Sequence, residues 1–285
     1  MNYLIHLLIF IEIYSILSLS LNLVVGLNGF LSLAHAAFYG FGAYITTLLL
    51  LGGYNFFVAV LAACAIAAGC SFLISTASLR FKGDIFILVT LAFQVVFYAV
   101  LYNWVGLTRG PFGIPGIPRP PILGSSPGQI AGLYGVFGAF IILIMAAVLR
   151  SQFALSLLAV RDDALAAQAL GKNVFAFRAK SIALASGVAA LAGGMYASYV
   201  SFIDPTSFTV DESILLVSMV LVGGTGNLIG PIFGAITLIM LPEVLRFIHL
   251  PESVAPNIRL MVYGLALVLL MYYRPRGIAG KYGFD

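Results

Sequence analysis

Apolar stretches long enough to cross a membrane, cut only by charges or by clusters of glycine and proline, recur from one end of this chain to the other. A helix needs about 20 such residues to traverse the hydrocarbon layer of a bilayer. The breaks predict spans near residues 3–25, 29–51, 56–79, 85–105, 130–149, 182–203, 212–225, 230–248 and 258–273. The seventh is short and ends in GGTGN, so it is expected either to cross or to enter as a half-helix and turn back. The expected fold is therefore an all-α polytopic membrane protein of eight to ten transmembrane helices, forming one domain over residues 1–285.

Only 8% of the residues are charged, against about 25% in a typical soluble domain. Too few charges remain to clothe a soluble core, which excludes a cytosolic enzyme, a nucleic-acid binder and a secreted disulfide scaffold. The first 25 residues lack the basic start of a removable signal and are long enough to span, so they are expected to be the first membrane helix. Cys64 and Cys70 lie six apart in one apolar run, on different turns of a helix, and are expected to be unbridged, buried small hydrophobes.

Basic residues set the expected orientation, because lysine and arginine collect on the cytoplasmic side. Arg80 and Lys82 share one short loop, Arg150, Arg161, Lys172, Arg178 and Lys180 lie in or beside a second, and Arg274, Arg276 and Lys281 lie in the tail. These are ten of the fourteen basic residues, and the span count between them alternates correctly if all three segments are cytoplasmic. Arg109, Arg119, Arg246 and Arg259 then face outward, with the N-terminus outside and the C-terminus inside.

Two loops are long enough to act. Residues 106–129, GLTRGPFGIPGIPRPPILGSSPGQ, are too rich in proline and glycine for a helix and form the expected outer docking or gating surface. The other, residues 150–181, is charged at both ends. Asp162 and Asp163 are expected at a helix start, Ala164 to Leu170 are good helix formers, and Gly171 is placed to end the helix. Such a short helix is marginal in water, so a partner protein is its simplest stabiliser.

Catalytic chemistry is poorly supported. Gly171-Lys172 is followed by Asn173 and lacks the glycine cradle of a phosphate loop, and neither a His-Glu-x-x-His nor a G-x-S-x-G motif occurs. His6, His35 and His249 are scattered, and neither a metal nor a cofactor is expected. Glu12 stands inside the first span and, with Ser15, Ser18 and Asn22, makes one polar stripe at spacings of three, three and four. Intramembrane polar groups avoid acyl chains, so the stripe is expected to bond other helices or to line a substrate path. Gln94, Asn103 and His35 are the other buried polar candidates, while Glu243 and Arg246 are spaced to pair. Ala183, Gly187, Ala190, Gly194 and Ser198 form a small face suited to close helix packing. Two glycine-broken segments, VGLNGFLSLAHAAFYGFGAY (residues 25–44) and VGGTGNLIGPIFGA (residues 222–235), align as VGxxGxL, pairing Gly26 with Gly223 and Gly29 with Gly226. Transporters build substrate sites from paired broken helices, which makes Ser32, His35, Gly223 and Gly226 path candidates beside Glu12 and Asn22, although a packing or turn role is equally available.

At these motifs the chain resembles the permease subunits of bacterial ABC importers for branched-chain amino acids. The resemblance rests on seven strings in order: SLAHAAFYGFGAY (32–44), LRFKGDIFILVTLAF (79–93), LTRGPFGI (107–114), AVRDDALAAQALGKN (159–173), LVGGTGNLIGPIFGA (221–235), LPEVLR (241–246) and RPRGI (274–278). It implies that residues 161–171 form a coupling helix docked on a cytoplasmic ATPase, with Arg161, Asp162, Asp163, Ala166, Ala167 and Gly171 as its coupling residues. The partners it implies are a second, similar permease, two ATPase subunits, an extracytoplasmic binding protein and the lipid of a bacterial inner membrane, with no nucleic acid. Leu165 stands where the general importer pattern has an acid, Ala185 where it often has proline, and Phe30 and Ala34 where many members have a polar residue and a glycine. Urea, short amides or other amino acids are alternative substrates within the resemblance; outside it, a carrier driven by an ion gradient is the main rival.

Overall fold

The computed structural model describes residues 2–81, 83–119 and 127–246, with isolated positions 261, 264, 265 and 268. Apart from those four positions the expected span at 258–273 lies outside the described residues, as do the basic tail and 120–126 of the proline-rich loop.

The described chain is almost wholly helical: α1 (Asn2–Asn22), a π-helical turn (Leu23–Leu27), α2 (His35–Leu51), α3 (Phe56–Ser78), α4 (Asp84–Asn103), α5 (Val105–Thr108), α6 (Pro127–Leu149), α7 (Gln152–Asp162), α8 (Ala164–Ala169), α9 (Val174–Val200), α10 (Val210–Gly223) and α11 (Ile229–Arg246). Among the described residues five helical stretches are long and apolar enough to cross a membrane: Tyr3–Leu27, Phe56–Thr76, Asp84–Asn103, Gly128–Leu149 and Val174–Val200. Two shorter apolar helices, His35–Leu51 and Ile229–Glu243, accompany them. The protein is an all-α polytopic membrane protein.

Helix α9 is the central strut. It packs along α2 and α3, and Tyr134 of α6 donates its hydroxyl to the Met195 carbonyl at 2.7 Å. No hydrophobic effect drives helices together in lipid, so close approach depends on small residues. A methyl group added at Gly42 would overlap the Ala190 backbone, and one at Gly193 would overlap the Tyr39 carbonyl. The small face read from sequence divides its contacts: Gly187 lies over Cys64 and Ala68 of α3, whereas Gly194 lies against Thr46 of α2 and Val60 of α3.

Several boundaries differ from the sequence expectation. The second span begins at His35 rather than residue 29, because the chain bends through 28–34 after the π turn. The sixth begins at Val174, eight residues before residue 182, capped by Asn173 Oδ1 accepting from Ala176 N–H at 3.0 Å. The loop expected over 150–181 therefore ends at residue 173. Arg178 and Lys180, expected in or beside the loop, belong to the helix, where the Arg178 guanidinium lies 4.6 Å over the Phe30 ring. Cys64 and Cys70 are unbridged, as expected, but half-exposed on α3 rather than buried.

The proline-rich loop is also more ordered than expected. It holds the single turn α5, a 3-10 turn (Gly110–Phe112) and strand β1 (Ile114–Pro115), which pairs antiparallel with β2 (Phe202–Ile203) just beyond α9. Arg119 Nε donates to Ser201 Oγ at 3.0 Å, and Ile117 N–H donates to the Ser201 carbonyl at 3.3 Å. This end of the bundle is opposite the end that carries α7 and α8.

Candidate functional site

Three broken or irregular pieces of backbone meet at the end that carries α7 and α8: the π turn, the turn between α10 and α11, and the segment around Arg161. A π turn frees backbone carbonyls from the regular ladder. One of these, on Gly26, accepts a hydrogen bond from Arg161 Nη1. The stem of Arg161 runs past Gly29, where an added methyl group would lie 3.0 Å from Arg161 Cγ. On the other side of the π turn, a methyl on Gly26 would lie 2.7 Å from Gly226 N, so only glycine admits the α10–α11 turn this closely.

Asn22, fully buried at the end of α1, holds that turn. Its Oδ1 accepts from Gly226 N–H at 3.0 Å and its Nδ2 donates to the Asn227 carbonyl at 2.8 Å. Asn227 Oδ1 in turn accepts from Gly230 N–H at 2.6 Å, starting α11. Gly226 has φ +84°, a left-handed conformation that a β-carbon makes costly. The two VGxxGxL segments thus touch each other, with Gly26 against Gly226.

Beyond the turn, α10 and α11 cross on bare backbone. A methyl at Gly223 would overlap the Gly230 carbonyl, and one at Gly234 would overlap the Met219 carbonyl. Gly230 and Gly234 were not singled out from the sequence, although Gly226, Gly230 and Gly234 at spacings of four are the small-xxx-small signal that marks such a crossing.

The polar stripe of α1 splits between neighbours. Ser18 Oγ donates to Met219 Sδ at 3.4 Å on α10, and Asn22 bonds the α10–α11 turn, so both make the interhelical bonds that were one of the two expectations. Glu12 faces α6 instead, its Oε1 lying 3.3 Å from where a methyl on Gly135 would sit. Its buried Oε2 has no hydrogen-bond partner among the described residues. His35, 3% exposed, starts α2 and latches it to α1. Ser20 donates its hydroxyl to the Leu17 carbonyl at 2.8 Å and therefore accepts from His35 Nε2–H at 2.7 Å, which assigns the ring proton to Nε2. Ser32 is half-buried in the connecting bend, its Oγ accepting from Ala34 N–H at 3.4 Å.

Two further pairings have no signature in the linear pattern. Tyr14 on α1 donates to Glu212 Oε1 in the first turn of α10 at 2.5 Å, across 198 residues. Ser213 Oγ accepts from Ala36 N–H at 3.0 Å, satisfying one of the free donors at the start of α2. Close by, the fully buried Tyr39 ring lies 5.1 Å from Phe208 and 5.5 Å from Tyr196.

The 150–173 segment holds two helices where one was expected. Ser151 caps α7, whose last residue is Asp162, so Asp162 closes a helix rather than opening one. Asp163 alone opens α8: its Oδ1 accepts from Leu165 N–H at 2.9 Å and Ala166 N–H at 3.0 Å. Gly171, at φ +78°, ends it as expected, donating to the Gln168 carbonyl at 2.9 Å. Ala167 is buried against Val160, Ala164 and Val174, which fixes α8 onto α7 and the start of α9. Ala166, Asp162 and Asp163 are exposed, and two large apolar side chains, Leu165 at 77% and Leu170 at 82% exposure, project outward.

Residues 3–271 match the family model described as the permease component of branched-chain amino acid transport systems. The high-affinity branched-chain amino acid transport permease LivM of Escherichia coli strain K12 is 31% identical over 93% of this chain and 67% of its own length. A probable permease of the same kind from Methanocaldococcus jannaschii is 29% identical over 58% of this chain and 52% of its own. The autoinducer 2 import permease LsrC of Salmonella typhimurium is 29% identical over 58% of this chain and 48% of its own. No solved structure matches.

Proposed function

This chain belongs to the family of permease components of branched-chain amino acid transport systems, and from that premise we propose that it forms half of the membrane pathway of an ATP-driven importer for leucine, isoleucine and valine. A second, similar permease completes the pathway, two ATPase subunits sit on the face that carries α7 and α8, and a binding protein delivers substrate at the opposite end. On this reading the α7–α8 end is cytoplasmic, in keeping with the basic residues gathered there, and the membrane is the inner membrane of the cell.

The observation that carries the reading is the exposure of Leu165 and Leu170 on a helix that is otherwise fastened to the bundle by Ala167. Large apolar side chains held out on a capped two-turn element cost free energy in water unless a partner covers them. On this reading a groove in an ATPase subunit covers them. Closure of the ATPases on ATP would press on α7 and α8 and bias the bundle between outward- and inward-open arrangements. Glu12, Asn22, Ser32, His35, Gly223 and Gly226 remain the path candidates, with Asn22 and Gly226 at the junction of the broken segments.

The test is reconstitution of the chain with its partner subunits in proteoliposomes, followed by uptake of radiolabelled leucine. Uptake that requires ATP and the binding protein is expected. Uptake driven by a sodium or proton gradient without any ATPase would sink the proposal. The likeness to a permease that imports a different solute supports a second reading, a related importer for urea, short amides or other amino acids. Competition by these solutes against leucine separates the two.

A further inference from the structure

We propose that Arg161 is a positioning residue that ties the α7–α8 segment to the junction of the two broken segments, so that movement of the lever is delivered directly to the backbone around Gly26 and Gly226. The inference rests on the coupling role proposed for α7 and α8 and specifies where that role enters the bundle.

Four observations place the link. Arg161 lies in the last turn of α7, one residue before Asp162 and two before the cap of α8, so it moves with the lever. Its guanidinium donates to the Gly26 carbonyl on the π turn, the kind of carbonyl that an irregular turn leaves available. Its aliphatic stem fills the space beside Gly29 that a side chain would otherwise occupy. Gly26 is itself pressed against Gly226, and Asn22, one turn before Gly26, holds the Gly226–Asn227 turn with two hydrogen bonds.

The chain of contact therefore runs from α7 through Arg161 to the π turn, and from the π turn through Asn22 to the α10–α11 turn. Each joint is a hydrogen bond to backbone or a close glycine contact. An arginine suits this position because its fork keeps one direction while its stem packs; lysine would supply charge without the fixed geometry. The neighbouring carboxylates play a different part: Asp162 is exposed, and Asp163 spends its oxygen on the α8 cap.

The measurement is leucine transported per ATP hydrolysed by the complete importer in proteoliposomes, for wild type, Arg161→Met and Arg161→Lys. Because both quantities come from the same vesicles, a variant that merely lowers the amount of assembled complex leaves their ratio unchanged. Arg161→Met is expected to lower the ratio by about fivefold or more, the lower end of couplings between linked sites, and Arg161→Lys is expected to lose less. A smaller loss with Arg161→Met, or an equal loss with Arg161→Lys, overturns the proposal. If Arg161→Met does not assemble, Arg161→Gln, polar but too short to span the gap, is held to the same threshold. Failure of both to assemble marks Arg161 as a folding determinant and also overturns it. Absence of ATP-driven uptake by the wild type would instead overturn the coupling role itself.

Discussion

Asn22 and Gly226, 204 residues apart in sequence, meet through a 3.0 Å hydrogen bond from the Gly226 N–H to the Asn22 side chain. The Nδ2 of Asn22 donates to the next carbonyl, that of Asn227, at 2.8 Å. One side chain, itself fully buried, therefore satisfies two backbone groups of a half-buried turn.

Asn22→Leu is expected to destabilise the protein by about 1 kcal/mol or more, since two side-chain hydrogen bonds to the half-buried turn are lost. Asn22→Asp keeps the acceptor for Gly226 but sets a buried carboxylate oxygen against the Asn227 carbonyl, and should lose at least as much. The midpoint of SDS-induced unfolding in mixed micelles measures both; equal stability of Asn22→Leu and wild type would contradict the clamp.

Glycines that carry backbone contacts should separate sharply from those that do not. Gly234→Val places a branched side chain into the Met219 carbonyl and should abolish recovery of folded protein. Gly69→Ala, on a helix position with nothing within 4 Å of the added methyl, should leave yield and thermal stability at least as high as wild type. Gel filtration of the solubilised chain distinguishes the two outcomes.

Leu165→Asp combined with Leu170→Asp should reduce co-purification of the ATPase subunits at least about tenfold, corresponding to the roughly 1.4 kcal/mol that separates decades of affinity, while leaving the chain's own unfolding midpoint in place. Ala167→Arg acts differently, because Ala167 is buried between α7 and α9 and a long cation there unseats α8 itself. Loss of binding without loss of stability in the leucine variants, and loss of both in Ala167→Arg, is the expected contrast.

Tyr14 and Glu212 should be energetically coupled. Tyr14→Phe removes the donor of the 2.5 Å bond, and Glu212→Gln weakens its acceptor. A double-mutant cycle on unfolding free energy is expected to give an interaction of roughly 1–2 kcal/mol. Additive effects of the two substitutions would dissolve the pairing.

Sidedness follows from two exposed positions. With Cys64 and Cys70 replaced by serine, a cysteine at Leu170 should react with a membrane-impermeant maleimide only in inside-out vesicles. A cysteine at Phe112, whose side chain is 79% exposed at the opposite end, should react only in right-side-out ones. Reversal of this pattern would invert the proposed orientation.

The order of the helices was legible because lipid imposes a length and a polarity on every crossing. Places where charge and helix coexist were misread: Arg178 and Lys180 suggested a loop, yet Arg178 lies on Phe30 and Lys180 is exposed, so α9 starts earlier. Asp162 and Asp163 looked alike in sequence, but only the oxygen of Asp163 reaches the free N–H groups of α8. The stripe on α1 indicated that Asn22 turns toward other helices or a substrate path; that its partner is the Gly226 turn depends on how distant segments pack. The bond between Tyr14 and Glu212 is of the same kind, since neither residue carries a local pattern that points to the other. The likeness between the two VGxxGxL segments was readable, and their direct contact was not.

Helix α9 begins within a few residues of α8 and ends where β2 is zipped to β1. Its 27 residues amount to a stiff rod of about 40 Å. One uninterrupted element thus has a footing at each aqueous margin, and a tilt imposed at one footing must appear at the other as a displacement of opposite sense, with no relay between them.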